Sequence, residues 1–114
     1  MKLNIAERIL LGNVLASQEG NFTTLKLVRD VRGALSFKDD EVKKLNFVQV
    51  GNQINWNVEA AIEIGEVEIP IGDAVIDIIK KILTNLNDQA KLTEQHFSLY
   101  EKFIVDEETN LKVV

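Results

Sequence analysis

His96 is the only histidine in the chain, so any metal or acid–base chemistry built on imidazole has a single place to start. Zinc ligation needs partners at fixed spacings, and the nearest acids, Glu94 and Glu101, do not make such a set. Ser17, Ser36 and Ser98 lie outside any nucleophile-elbow context, and one histidine supports no triad around them. With no cysteine at all, thiolate metal sites, disulfides and thiol catalysis are excluded together. The carboxylate runs Asp39–Glu41 and Asp106–Glu108 read as a solvated helix start and a solvated tail. The glycines form no phosphate-binding loop. No residue set assembles a reaction, so the expectation is a non-enzymatic protein with no cofactor and no bound metal.

One stretch does have binding chemistry. In "VQVGNQINWN" the asparagines Asn52 and Asn55 flank the only tryptophan, Trp56. Amides that donate and accept beside an aromatic ring suit a small polar ligand, and the same residues also suit a tight turn. Gly51-Asn52 favours a two-residue hairpin, which pairs Phe47 with Trp56 and Gln49 with Ile54. Phe47, Ile54 and Trp56 then share one face, with a reason to lie on helices.

Helical periodicity surrounds this hairpin. Asn4 and Glu7 have capping-box spacing ahead of a helix reaching about Ala16. Its apolar face is wide: Ile5 and Ile9 form one strip, and Leu10, Leu11, Val14 and Leu15 a second. A second helix begins near Thr23 or Thr24 and buries Leu25, Val28, Val31 and Leu35. "KDDEVKKL" follows as a short helix, with acids first and lysines last, as the helix dipole prefers. "AIEIGEVEIPI" reads as extended, with a change of phase at Gly65 that marks a bulge or a second turn. Gly72 and Asp73 open the most strongly amphipathic helix. Thr93 caps a last one, with Phe97, Tyr100 and Ile104 inward. The fold class expected is α+β: four to five helices with a short antiparallel hairpin or sheet. Residues 1–105 make a single domain, and 106–114 a flexible acidic tail.

Composition narrows the partners. The 114 residues carry a net charge of −5, and the 13 basic side chains are scattered. Phosphate backbones attract a basic face, so nucleic acid is not the expected partner. The charge is also too mild for a DNA mimic. No apolar run is long enough to span a membrane, and Glu7 and Arg8 interrupt the N-terminal one, which reads as a helix and not a leader. A cytoplasmic location is expected.

The order helix, helix, short helix, hairpin, extended segment, helix resembles a winged helix-turn-helix, with the hairpin as the wing and "FKDDEVKKLN" at the position of a recognition helix. Asp39, Asp40 and Glu41 have the wrong sign for phosphates there, which points to a version that docks proteins. "EGNFTTLKLVRDVRGALSF", "VGNQINWN" and "LTEQHFSLYEKFI" resemble segments of small bacteriophage and prophage proteins. That resemblance implies an accessory or regulatory viral role in a bacterial cytosol, binding a host or viral protein. The second apolar strip, Leu10, Leu11, Val14 and Leu15, with Leu99 and Phe103, is the expected protein interface. Gly12 would permit close helix contact there in a homodimer. A winged-helix nucleic-acid regulator, and a protein that sequesters a nucleotide-like ligand at Asn52, Asn55 and Trp56, are the alternatives.

Overall fold

Asparagine starts three of the helices in the computed structural model, which describes residues 1–105. Asn4 Oδ1 accepts from the Glu7 N–H while Glu7 Oε1 accepts from the Asn4 N–H, both at 2.9 Å. This closed capping box begins α1 (Ile5–Ala16). Asn21, not Thr23 or Thr24, caps α2 (Phe22–Leu35), accepting from the Thr24 N–H. Asparagine reaches the exposed amides of a first turn more readily than threonine. The Glu41 carboxylate holds the Lys38 N–H at the start of α3 (Asp39–Leu45), and Asn46 ends that helix in the left-handed conformation.

The hairpin turns where the sequence places it. β2 (Val48–Val50) pairs with β3 (Gln53–Asn55) through Val48↔Asn55, Gln49↔Ile54 and Val50↔Gln53. Gly51 takes the positive φ of 62° that the turn requires. Phe47 and Trp56, at the root, meet edge-on at 6.3 Å and are half-buried. Ile54, near the tip, is 46% exposed, so the inward face covers the helices only at the root.

The segment after the hairpin departs from its extended reading. Residues 58–64 form a helix, α4 (Val58–Ile64), with Asn57 Oδ1 accepting from the Ala60 N–H. Gly65, at φ 66°, terminates that helix; it marks no bulge in a strand. The alternating isoleucines looked like a strand face, but the cap and the two alanines settle a short helix. Only β4 (Val67–Glu68) is extended, and it pairs antiparallel with β1 (Lys2–Leu3). The hairpin therefore stands as its own two-stranded sheet, and α4 follows it where the winged-helix order has an extended segment, so the structure does not bear out the winged-helix likeness.

α5 (Asp73–Asp88) is followed by a 3-10 turn at Glu94–His96, then α6 (Phe97–Tyr100), then a π-helical turn at Glu101–Val105. Phe97 is exposed, while Leu99 and Phe103 are buried. Of the three residues expected inward, Tyr100 and Ile104 pack against the core and Phe97 does not, because the helix changes pitch twice within twelve residues. The main core joins Leu11, Leu15, Val28, Val31, Leu35, Ile79, Leu83, Leu99 and Phe103. A second, smaller cluster holds Ile5, Leu45 and Ala60 beneath Phe37, Phe47 and Trp56. The acidic-tail assignment, 106–114, lies outside the described residues. No helix among those described is long and apolar enough to cross a membrane.

Candidate functional site

The interface expected on α1 and the C-terminal helix is inside the chain. Leu11, Leu15, Leu99 and Phe103 are each at most 1% exposed, so they cannot present a surface to a second copy. The second apolar strip finds its partners within the chain, since α1 contacts both α2 and α6. Leu10 and Val14 remain half-buried at its margin. A Cβ on Gly12 would meet nothing within 4 Å, so no close approach inside the chain requires glycine there.

The ligand candidates do meet in space. Asn52, Asn55 and Trp56 line a cleft of about 480 Å³, together with Gln53 and Ile54. Its second wall is a stripe of α1, Ala6, Ile9, Leu10 and Asn13, at the 3–4 spacing that puts residues on one helix face. Asn4 and Glu7 extend that wall, and Gln95 and Ser98 join it from the C-terminal segment. None of the side chains of Asn13, Asn52, Gln53, Asn55, Gln95 or Ser98 hydrogen-bonds to another described residue. No lysine or arginine is among the described residues of the lining.

Among the described residues, Glu7 is the only charged one that lines the cleft, and it is 3% exposed. Its Oε1 accepts from the Asn4 N–H and from Lys102 Nζ at 2.7 Å. Its Oε2 has no hydrogen-bond partner among the described residues. Lys102 also donates to the Lys2 carbonyl at 2.9 Å and to the Glu66 carboxylate. Burial pulls the Lys102 ammonium down, but hydrogen bonds to Glu66 and Glu7 outweigh it, so its pKa rises above the usual lysine value. The Lys102 hydrogen bond likewise lowers the Glu66 carboxyl.

Arg8, the other buried charge, faces away from chemistry. Its guanidinium donates to Glu41 at 2.8 and 3.3 Å, to the Ser36 carbonyl at 2.8 Å and to the Leu35 carbonyl at 3.3 Å. It also stacks on the Phe37 ring, 4.2 Å from the centroid. These contacts join the end of α2 to the start of α3, and the hydrogen bonds from Arg8 hold the Glu41 carboxyl below the usual range. Charge in an otherwise apolar helix was the visible signal for both Glu7 and Arg8, but it reads equally as a solvated face.

His96 Nδ1 accepts from the Thr93 N–H at 2.9 Å, a helix cap. Among the described residues no group of histidine and carboxylate side chains is placed to hold a metal. No protein-family model matches the chain, and no curated protein or solved structure matches it either.

Proposed function

We propose that this protein is a non-enzymatic interaction module that docks a protein partner on the hairpin and α4. Support comes from apolar side chains that the fold leaves uncovered. Val48 and Val50 lie on one face of β2 and are 49% and 59% exposed. Val58 and Ile62, one helical turn apart on α4, are 65% and 76% exposed. Isolated exposed hydrophobics need no explanation, whereas sets sharing one face of an element are a mark of binding surfaces. The single observation that carries the reading is the exposed Val58–Ile62 pair on the outer side of a helix whose inner side, Ala60, is buried.

Charge narrows the partner. Residues 46–72 contain four glutamates, Glu59, Glu63, Glu66 and Glu68, and no lysine or arginine. Lys102 engages Glu66, and Glu59 and Glu63 are exposed beside Val58 and Ile62. A partner with basic side chains around an apolar centre complements this surface. A second copy of the chain does not, because a two-fold contact brings the same glutamates together. Duplex DNA is disfavoured for the same reason, with Asp39 and Asp40 adding to the repulsion at the start of α3. An accessory or regulatory role of phage type, in a bacterial cytosol, fits the sequence resemblance.

The test is comparative capture from a bacterial host lysate. Wild-type protein, a Val58→Glu/Ile62→Glu variant and a Phe22→Glu control, with folding checked by circular dichroism, serve as baits. A basic partner retained by wild type and control but lost by the double variant supports the reading. Equal recovery on all three removes this surface from consideration.

A further inference from the structure

Five consecutive residues, 52–56, line the cleft, yet nothing from β2 does. A cleft lying over the face of a hairpin touches both strands. One that touches only β3 runs along the outer edge of β3. In this register Val50↔Gln53 closes the two-residue turn, and Val48↔Asn55 repeats its hydrogen-bonded geometry. The pair between them, Gln49↔Ile54, is non-hydrogen-bonded, so the Ile54 N–H and C=O point away from β2. Neither bonds to any other described element. An edge with open peptide groups is a template for another strand.

We propose that the cleft takes a short extended peptide of a partner protein as a third strand on β3. This rests on the protein-docking reading and adds a second, polar contact to its apolar surface. The Ile54 peptide groups would exchange hydrogen bonds with the incoming backbone, the basis of strand addition. Ile9 and Leu10 on α1 face that strand from the opposite wall and receive its apolar side chains. Asn13 and Gln95, which bond to nothing in the described chain, both donate and accept, as peptide groups do. The three residues of β3 at about 3.3 Å each set an edge of roughly 10 Å, which a five-residue segment spans with one residue to spare at each end. Among the described residues Glu7 is the one charged residue of the lining, and its carboxylate favours a neutral or basic segment over an acidic one. With no cation among the described lining residues, a phosphorylated ligand is disfavoured.

The probe is acetyl-Thr-Val-Lys-Val-Thr-amide, titrated into isotope-labelled full-length protein and followed by amide NMR shifts. Saturable shifts at residues 52–56 and at Asn13 and Gln95, with a dissociation constant of about 1 mM or tighter, are expected. The same peptide with glutamate in place of lysine binds several-fold more weakly. Ile54→Pro deletes the outward N–H but spares the ladder to β2, and weakens binding about tenfold. Gln49→Pro makes the matching change on the β2 edge, away from the cleft, and leaves affinity within about twofold. Asn13→Trp, on the surface of α1, fills the cleft while leaving the hairpin's own residues unchanged, and abolishes binding even if Ile54→Pro does not fold.

Loss of binding in both proline variants overturns the proposal, as does full binding by Asn13→Trp. So does adenosine producing stronger shifts at the same residues, which makes the cleft a nucleoside site. Peptide shifts confined to Val58 and Ile62 reject the cleft while leaving the α4 surface as the docking site. Loss of capture by the Val58→Glu/Ile62→Glu bait with peptide binding intact separates the two sites in the other direction.

Discussion

Replacing Arg8 by methionine keeps most of the side-chain volume but leaves Glu41 and two backbone carbonyls without their donor. Breaking a buried pair from one side costs about 3–5 kcal/mol, so urea unfolding of Arg8→Met should show a loss of that order. Arg8→Lys should recover only part of it, because an ammonium cannot make the two-pronged contact to Glu41. Protonation of Glu41 attacks the same contact. Its folded pKa lies below the ordinary 4.5, so its stabilisation is present above 4.5 and disappears as pH falls through the lower folded value. Lys102 has the opposite sign. Its folded pKa lies above 10.5, so its contribution holds below 10.5 and is lost as pH rises through the higher value. Stability measured against pH should therefore decline at both extremes. Glu41→Gln should flatten the acid limb, and Lys102→Met the alkaline one; unchanged limbs would count against these contacts.

α4 shows how local signals compete within one element. Ile62 and Ile64 alternate with Glu63, which favours a strand, yet Asn57, Ala60 and Ala61 favour a helix. Two residues decide the outcome and give its test. Asn57→Ala removes the cap and should cost about 1 kcal/mol. Gly65 stands at φ 66°, ψ −147°, a conformation nearly confined to glycine. Gly65→Ala should cost about 1–3 kcal/mol in thermal melts although its Cβ has space, the nearest neighbour being 3.8 Å away. If Asn57→Ala and Gly65→Ala melt like wild type, the helical ending is not what holds this segment. The hairpin was more legible, since Gly51-Asn52 allows few alternatives and both partners of the root pair are aromatic.

For the whole molecule, the decisive question is what covers α1. A surface strip and a core strip predict different outcomes for Leu11→Glu. As an interface residue it would yield a folded monomer; as a core residue at 0% exposure it should prevent folding. Circular dichroism with sedimentation separates these, and a folded, dispersed Leu11→Glu protein would contradict the packing. Phe103→Ala tests the same core from the C-terminal side and should cost about 3–5 kcal/mol. Trp56→Ala should cost less than that, because Trp56 is half-buried at the edge of the smaller cluster.

The Asn4–Glu7 capping box, the hairpin turn and the helices α1, α2, α3 and α5 were readable from the residues, because each depends on neighbours within four or five positions. The partners of apolar stripes were not. A stripe specifies that something covers it, and only the packing of α2 and α6 against α1 decided that Leu11 and Leu15 belong to the core. The same holds for the cleft. Asn52, Asn55 and Trp56 announced polar and aromatic chemistry by type. That Asn13, Glu7 and Gln95 stand opposite them, about forty residues away in either direction, follows from how α1 and the C-terminal segment fold back on the hairpin. Short-range chemistry is written locally, and the geometry that joins distant residues into a site is set by long-range packing.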